Sequence, residues 1–428
     1  MIRLKPNPEI FFSCPECGTE HTLVKQIKFF SIHVMAESTC QNCGFDFFQV
    51  LPVGHTVDYP LAIGKQNNKL YQRGLPDDWL TKSLMKSHQG LRSDDVQIRK
   101  MQFKKYNNVI ILNTLDSLYG HVLLKLYNAF YHLNHHPDFG LILIIPKTFE
   151  WLIPAGCAEV WVVNLRLGEL IYNYDSIQQF IAKECLRFDV IHLSKAYSHQ
   201  NLSSENVTQL TGVFPFNLAN FSYQKPTISF ILREDRWWFT HKLDYWLYRL
   251  CRKLKVLSFG SHILSLRQNQ LIKRTIRQIR SKLPEANFHV IGLGKTGSFA
   301  GFASDERQTH VNAVVERGWC DTYAKSHVVV GVHGSNMLLP TALGAGCVEI
   351  LPEDRYGNII QDISVRYADR LQLFFYRFAD QFSSPKSVSS KVVSMINDFE
   401  SYKKNMCINT YPSEPPMTIL PTVHDGHH

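Results

Sequence analysis

The sequence predicts an α/β protein with two halves built of sheets and helices, preceded by a small cysteine-rich module. The chain has 428 residues, a length that favours about two or three domains. Short apolar runs alternate with amphipathic segments through most of the chain, which is typical of parallel sheets covered by helices. Four of the ten cysteines form two closely spaced pairs near the start. These observations together predict two Rossmann-like halves and a metal-binding module.

Composition places the chain among globular proteins. Hydrophobic residues make up 45% and charged residues 19%, which excludes disorder as the main state. The net charge of +9 suits an anionic ligand such as a nucleotide, a nucleic acid or a membrane surface, although solvated helix faces would also account for it. The opening residues lack an apolar signal segment, and no run approaches the ~20 apolar residues of a membrane helix. We therefore expect a cytoplasmic protein without a transmembrane segment. Peripheral contact with a membrane is compatible with this expectation.

The paired cysteines have the spacing of a zinc ribbon. Each pair encloses two residues and is followed directly by glycine, giving Cys14, Cys17 and Gly18, then Cys40, Cys43 and Gly44. This spacing lets a tight turn direct both thiolates at one tetrahedral ion, and four thiolates leave no position open for water. The predicted Zn²⁺ is therefore structural. Disulfides or a redox CxxC motif are the alternatives.

The zinc ribbon also supports an alternative to an enzyme. Zinc ribbons contact nucleic acid in some proteins, and Lys25, Lys28 and His33 lie between the two cysteine pairs. A non-enzymatic module that binds nucleic acid or protein through the ribbon is therefore the second hypothesis, although nucleic acid is the less expected partner.

The predicted boundaries follow the changes in sequence pattern. The zinc-ribbon module covers residues 1–62, the first Rossmann-like half 63–225, the second half 226–410 and a tail 411–428, with a polar linker at 198–225. Predicted strands of the first half are 108–113, 141–145, 159–163 and 190–193, with a helix at 120–133. Those of the second half are 227–232, 287–291, 328–332 and 347–351, with helices at 238–253, 265–283, 316–326 and 336–343. Two such halves place a ligand in the cleft between them, at the carboxyl ends of the strands.

One turn in the second half has the composition of a ligand site. The apolar strand 328–332 leads into His333, Gly334, Ser335 and Asn336, and a helix is predicted to follow. Such a turn brings backbone N–H groups and the positive end of a helix to the sheet edge, where a diphosphate can bind. A turn that serves packing alone is the alternative.

The segment 323–352 resembles the C-terminal signature of glycosyltransferase family 61. The matching positions are Gly331, His333, Gly334, Asn336, Gly346, Val348, Glu349 and Ile350. Residues 120–124 are similar to the start of the family's first long helix, and residues 231–236 to its strand-then-arginine segment. The resemblance implies a GT-B fold and a metal-independent, inverting transfer of a sugar from a nucleotide-sugar donor to a glycan or other hydroxyl acceptor. Surface polysaccharide synthesis is the setting that it suggests.

Such a transfer needs positive charge beside the leaving diphosphate and a general base beside the acceptor. The donor-binding candidates are Arg233, Arg236, Lys295, His333, Gly334, Ser335 and Asn336, with Glu349 for the ribose hydroxyls. A self-paired surface loop is the alternative for the two arginines, and structural hydrogen bonds are the alternative for His333 and Glu349. His121 is the preferred catalytic base and Asp116 the second choice, with helix capping and packing as the alternative for His121.

Two further patterns are weaker. Residues 292–297 match the glycine spacing of a dinucleotide-binding turn, but the segment after them is a poor helix start, which argues against NAD. The aromatic residues between 237 and 248 could stack on sugars or bases, yet their helical spacing favours packing in the core.

Overall fold

The computed structural model describes residues 1–10, 12–72, 78–198, 204–254 and 257–406. The tail predicted at 411–428 lies outside these residues. The described chain is a mixed α/β structure with two six-stranded sheets, a five-stranded sheet and a two-stranded ribbon. None of its helices is both long enough and apolar enough to cross a membrane.

The first part of the chain forms an antiparallel sheet and a covering helix. Its elements are β1 (Ile2–Lys5), β2 (Thr22–Phe30), β3 (His33–Cys40), β4 (Asp46–Val50), β5 (Leu61–Gly64), β6 (Leu70–Gln72), α1 (Asp78–Gln89), β7 (Leu91–Arg92) and β8 (Ile98–Gln102). The antiparallel sheet has the order β2-β3-β4-β5-β6. The boundary expected at residue 62 therefore falls inside β5.

Strand β3 of this antiparallel sheet is buried on both faces. Side chains alternate across a strand, so Met35 of β3 packs with Leu80 and Leu84 of α1, while Val34 and Ala36 join the large core of the first half. The cysteine-rich module is thus packed onto the first half rather than attached by a linker.

The first half contains a mainly parallel sheet. Its elements are β9 (Asn108–Asn113), α2 (Tyr119–Leu126), α3 (Asn128–His135), β10 (Gly140–Pro146), β11 (Glu159–Val163), β12 (Asn173–Tyr174), α4 (Asp175–Cys185), β13 (Val190–Leu193) and α5 (Ser204–Thr211). The strand order is β1-β13-β9-β10-β11-β8, with both edge strands antiparallel to their neighbours. The helix expected at 120–133 is two helices, and the expected linker contains α5, because Val207 and Leu210 bury an apolar stripe.

The second half is a fully parallel sheet covered by helices. Its elements are β14 (Thr227–Arg233), α6 (Lys242–Lys253), α7 (Leu257–Arg280), β15 (Asn287–Leu293), β16 (Ser304–Asp305), α8 (Ala313–Tyr323), β17 (Val328–Val332), α9 (Leu338–Leu343), β18 (Gly346–Leu351), α10 (Asp369–Phe375), β19 (Tyr376–Asp380), α11 (Pro385–Asn397) and α12 (Phe399–Met406). The order is β16-β15-β14-β17-β18-β19, the 3-2-1-4-5-6 order of dinucleotide-binding folds.

Strand order reverses at one place in each large sheet. In the first half the reversal lies between β9 and β13, and in the second between β14 and β17. Ligands of open α/β sheets bind at the carboxyl ends of the strands beside such a reversal. The segments after β9, β14 and β17 are therefore the places to look for a site.

A buried carboxyl joins the two halves. Glu316 of α8 accepts a hydrogen bond at 2.7 Å from Nε1 of Trp151, which belongs to the first half. Burial raises the pKa of Glu316 from its ordinary 4.5 to about 7, against the lowering effect of hydrogen bonds from Trp151 and Tyr119. The folded protein consequently favours the protonated carboxyl.

Replacing Glu316 by glutamine should make the protein more stable at high pH. Well below pH 4.5 the raised pKa of Glu316 does not change the free energy of unfolding. As the pH rises from 4.5 to about 7 it lowers that free energy progressively, by roughly 3 kcal/mol in total at 1.36 kcal/mol per pKa unit. Glu316→Gln stays neutral and keeps an acceptor for Trp151. Urea unfolding should give equal free energies for the two proteins near pH 4.5 and a more stable variant at pH 8.5. Equal stabilities at both pH values would contradict the raised pKa.

Candidate functional site

The four paired cysteines converge into a group that could hold a metal ion. Their sulfur atoms all lie within 4.8 Å of one another, with Sγ of Cys14 at 3.8 Å from that of Cys43 and Sγ of Cys17 at 3.6 Å from that of Cys40. Zn–S bonds of ~2.3 Å in a tetrahedron require sulfur atoms about 3.8 Å apart, so the spacing fits a zinc site.

Glycine shapes the two turns that carry these cysteines. Gly18 and Gly44 have φ of +76° and +73°, and each donates its backbone N–H to the carbonyl of the first cysteine of its pair, at 2.9 and 3.0 Å. Positive φ is the conformation that glycine adopts without steric cost. The sequence prediction of the turns therefore matches the local geometry.

Three basic residues between the cysteine pairs, Lys25, Lys28 and His33, are paired or buried. Lys25 forms an ion pair with Asp46 at 3.0 Å, and Lys28 pairs with Glu37 at 2.9 Å. His33 is buried. Both lysines named in the nucleic-acid hypothesis are therefore paired with carboxylates of the module, and His33 does not lie at its surface.

The glycine turn after β17 lies at the strand reversal, but its geometry differs from the expected strand-to-helix turn. A 3-10 turn, Ser335–Met337, follows Gly334, and the α-helix beyond it has only six residues. Gly334 has φ of +153°, and a Cβ there would lie 2.0 Å from Nη1 of Arg236. That nitrogen donates to the carbonyl of His333 at 2.7 Å. The positive charge at this turn is thus supplied by Arg236 rather than by a long helix.

Beneath the turn lies a cluster of buried ionisable groups. Nδ1 of His333 is 3.1 Å from Oε2 of Glu349, and Nε2 is 3.5 Å from Oδ2 of Asp362. These are ion-pair contacts rather than aligned hydrogen bonds. Among the described residues, the ring nitrogens of His333, the carboxylate oxygens of Glu349 and Oδ1 of Asn336 have no hydrogen-bond partner. Buried polar atoms of this kind are uncommon away from functional sites.

Glu349 does not line the cleft as the ribose-binding prediction requires. Its side chain is 0% exposed, and its carboxylate faces His333. Burial raises the pKa of Glu349 to about 6, while His333 acts to lower it. Burial acts to lower the pKa of His333, but Glu349 and Asp362 hold it above its ordinary value. Glu349 therefore positions and charges His333 instead of meeting a ligand.

Two other donor candidates lie elsewhere. Arg233 donates from Nε and Nη2 to Asp235 at 2.8 and 2.5 Å, as the alternative of a self-paired loop describes. Lys295 is exposed, and its turn is occupied by Glu234, which accepts hydrogen bonds from the backbone N–H and hydroxyl of Thr296 at 2.6 and 2.9 Å. That carboxylate takes the place that a phosphate would need, so the structure does not bring Lys295 into the site.

A large cleft opens beside Arg236 and His333. It has a volume of about 1070 Å³, and its basic lining residues outnumber the two acidic ones, Asp235 and Asp354. The basic residues are Arg236, Arg249, Arg252, Lys253 and Arg355. Trp246 of α6 also lines it and is 62% exposed, in contrast to the core position that its spacing favoured. The cleft therefore offers positive charge and an aromatic face to the same ligand.

The segment after β9 carries a histidine held by a carboxylate. Nδ1 of His121 lies 3.2 Å from Oδ1 of Asp116, and Nζ of Lys125 lies 2.8 Å from Oδ2. Burial acts to raise the pKa of Asp116, but Lys125 and His121 hold it well below its usual range. An ionised carboxylate on Nδ1 orients the imidazole and leaves Nε2 available for proton transfer.

The two strand reversals face each other. The start of α2 packs on the glycine turn, since a Cβ on Gly120 would lie 2.6 Å from Cβ of Ser335. Burial raises the pKa of Asp362, while the charges of both His333 and His121 act to lower it. His121 of the first half and the buried cluster of the second half thus belong to one site.

Several residues of this site were not predicted from the sequence. Asp362 and Arg355 lie in a polar segment without periodicity, and His55 and Trp79 come from the module and its covering helix. The ring of His55 lies 4.2 Å from that of His121. The packing of the antiparallel sheet and α1 on the first half brings His55 and Trp79 to His121.

Comparison of the chain with models of known protein families gives no match, and comparison with curated proteins gives none either.

Proposed function

We propose that the chain is an inverting glycosyltransferase of the GT-B type, which transfers a sugar from a nucleotide sugar to a hydroxyl acceptor. The observation that carries the proposal is the contact between the strand reversals of the two large sheets. The His121–Asp116 pair stands at the strand reversal of one sheet. The neighbouring Gly120 packs on Ser335 at the reversal of the other, next to His333, which lines the basic and aromatic cleft. The similarity of residues 323–352 to glycosyltransferase family 61 is consistent with this assignment.

The second half suits the donor. Arg236 and Arg355 line the cleft, and guanidinium groups neutralise a diphosphate and bind its oxygens in pairs. Trp246 offers a ring on which a base or sugar can stack. These side chains supply the charge stabilisation that the leaving nucleotide requires.

The first half suits the acceptor. In the proposed step the acceptor oxygen forms a bond to C1 of the sugar from the face opposite the phosphate, and the bond between C1 and the phosphate oxygen breaks with its electron pair leaving on the nucleotide. Nε2 of His121 takes the acceptor proton, and Asp116 stabilises the resulting imidazolium. Attack from the opposite face inverts the configuration at C1.

Zinc belongs to the proposal as a structural ion. Four cysteine sulfurs fill a tetrahedral shell, and such a site stabilises the local fold without binding substrate. The antiparallel sheet links this site to the geometry around His121, because His55, which contacts His121, lies in the 3-10 turn between β4 and β5.

Donor binding tests the assignment of the cleft. Affinities for UDP-, GDP- and CMP-sugars are measured by calorimetry on the wild type, Arg236→Ala and Arg355→Ala. At least one donor should bind, and each variant should weaken it by about 10- to 100-fold, since hydrogen bonds to charged groups are worth about 1.5–3 kcal/mol. Arg274→Ala, on an exposed position of α7, is the matched control and should bind as the wild type does.

The same measurement can overturn the proposal. If none of the donors binds and single-stranded RNA binds in a salt-sensitive manner, the transferase proposal is wrong and nucleic-acid binding is the better-supported function. Equal affinity in all four proteins would show that the donor binds elsewhere.

A further inference from the structure

A small pocket lies beside His121, on the side of the antiparallel sheet. Its volume is about 160 Å³, and every described residue that lines it precedes β14. Its walls come from three separate segments: His33 and His55 from the module, Trp79 from α1, and Asp116 with Lys125 from the first half. Sites for drug-sized ligands have volumes of about 300 Å³ or more, so this pocket has room for a single ring rather than for a nucleotide.

The floor of the pocket carries an unused hydrogen-bonding group. His33 is 4% exposed, and its Nε2 has no hydrogen-bond partner among the described residues. Burial, aided by the charge of Lys125, lowers the pKa of His33 to about 4, so the ring is neutral at physiological pH and offers one donor and one acceptor. A buried group of this kind is expected to meet a ligand or water.

The charges of the pocket cancel. Nζ of Lys125 lies 2.8 Å from Oδ2 of Asp116 and also donates to the carbonyl of Leu115 at 3.0 Å. With His33 neutral and Lys125 matched by Asp116, neither of these two buried groups is an unpaired cation that could hold a phosphate. Hydroxyl groups, which donate and accept, match it better than an anion does.

Aromatic rings lead from the mouth of the pocket to the His121–Asp116 pair. Trp79 is 44% exposed, and its ring lies 4.9 Å from that of His55 at an interplanar angle of 88°. The ring of His55 in turn lies 4.2 Å from that of His121. An exposed indole gives a ligand a flat apolar face, and the histidines provide polar edges next to it.

We infer that this pocket is the acceptor subsite and that it binds one neutral sugar ring, stacked on Trp79 with a hydroxyl directed at His121. The inference rests on the proposed function, because it assigns the acceptor of that reaction. It also gives the zinc-ribbon module a direct part in substrate recognition, since His33 and His55 come from it.

Saturation-transfer NMR tests the pocket without any transfer reaction. Glucose, galactose, xylose and N-acetylglucosamine are each added at millimolar concentration to the full chain, with inorganic phosphate as a competitor. At least one sugar should receive saturation from the protein, Trp79→Ala should weaken its binding about tenfold, and phosphate should not displace it. Tyr223→Ala removes a ring that is 90% exposed far along the chain and should leave sugar binding unchanged.

The outcomes separate this inference from the proposed function. No saturation of any sugar, equal binding by Trp79→Ala, or displacement by phosphate would overturn the neutral-sugar subsite, even if nucleotide sugars bind in the basic cleft. If sugar binding depends on Trp79 but the protein binds no nucleotide sugar, the sugar-binding pocket is supported and the proposed transferase function is contradicted. In a working enzyme, Trp79→Ala should raise the acceptor KM and leave the donor KM unchanged.

Discussion

His121→Ala should lower the turnover of sugar transfer by about 10²- to 10⁴-fold, the contribution of a positioned general base, while donor affinity changes little. The reason is the geometry of the pair: Asp116 lies 3.2 Å from Nδ1 of His121, so the other ring nitrogen is free to take the acceptor proton. Steady-state assays with the donor identified by calorimetry would measure kcat and the donor KM separately.

A matched variant separates catalysis from general disturbance. His310→Ala removes an exposed histidine of the second half and should leave kcat unchanged. Asp116→Asn is less informative, because it leaves the buried Lys125 without its carboxylate partner, a change that typically costs about 3–5 kcal/mol of stability. Turnover of His121→Ala within about twofold of the wild type would show that another group is the base.

Cys40→Ser should remove stoichiometric zinc and unfold the antiparallel sheet. Cys40 ends β3 and is 1% exposed, and structural zinc contributes roughly 10–16 kcal/mol in isolated zinc-finger peptides. Hydrogen exchange of β2 to β4 should rise sharply. Because β3 also carries His33, sugar binding in the pocket should fall together with the zinc.

Cys251→Ser provides the control for thiol loss, since Cys251 lies on α6 in the second half. It should keep one zinc per chain and the exchange pattern of the wild type. Purified protein with much less than one zinc per chain, or a Cys40→Ser variant with unchanged exchange in β2 to β4, would contradict the structural zinc site.

The four central strands of each large sheet were predictable because they are mostly buried apolar runs, whereas the edge strands β1, β8, β16 and β19 were not predicted. β9, β11, β13 and β17 have the bounds that the sequence predicts. Burial on both faces of a parallel sheet leaves few polar positions inside a strand, so an apolar run ends close to where the strand ends. The cysteine pairs were equally clear, since the metal-ligand spacing is local.

The helix after the glycine turn and the role of Glu349 were not predictable in the same way. Every residue of α9 is buried, so no polar face marks how long the helix is. Glu349 stands in an apolar strand, and only its proximity to His333 shows why a carboxylate is tolerated there. Both features depend on contacts between segments, which periodicity does not record.

The residues of the proposed acceptor pocket were even less predictable, because tertiary structure alone brings them together. His121 could be proposed from its place after a strand, but no sequence pattern connects Trp79, His55 or His33 with it. The packing of the antiparallel sheet on the first half assembles them.

The central claim is tested most directly by following UDP-, GDP- and CMP-sugars with the purified chain by time-resolved ¹H NMR, with neutral monosaccharides as acceptors. The proposed function predicts that one donor is consumed, that its nucleotide is released, and that the new anomeric proton has the inverted configuration from the first spectrum. It also predicts that His121→Ala slows the appearance of the product signal by about 10²- to 10⁴-fold. Consumption of none of the donors, or a product of retained configuration, would contradict it.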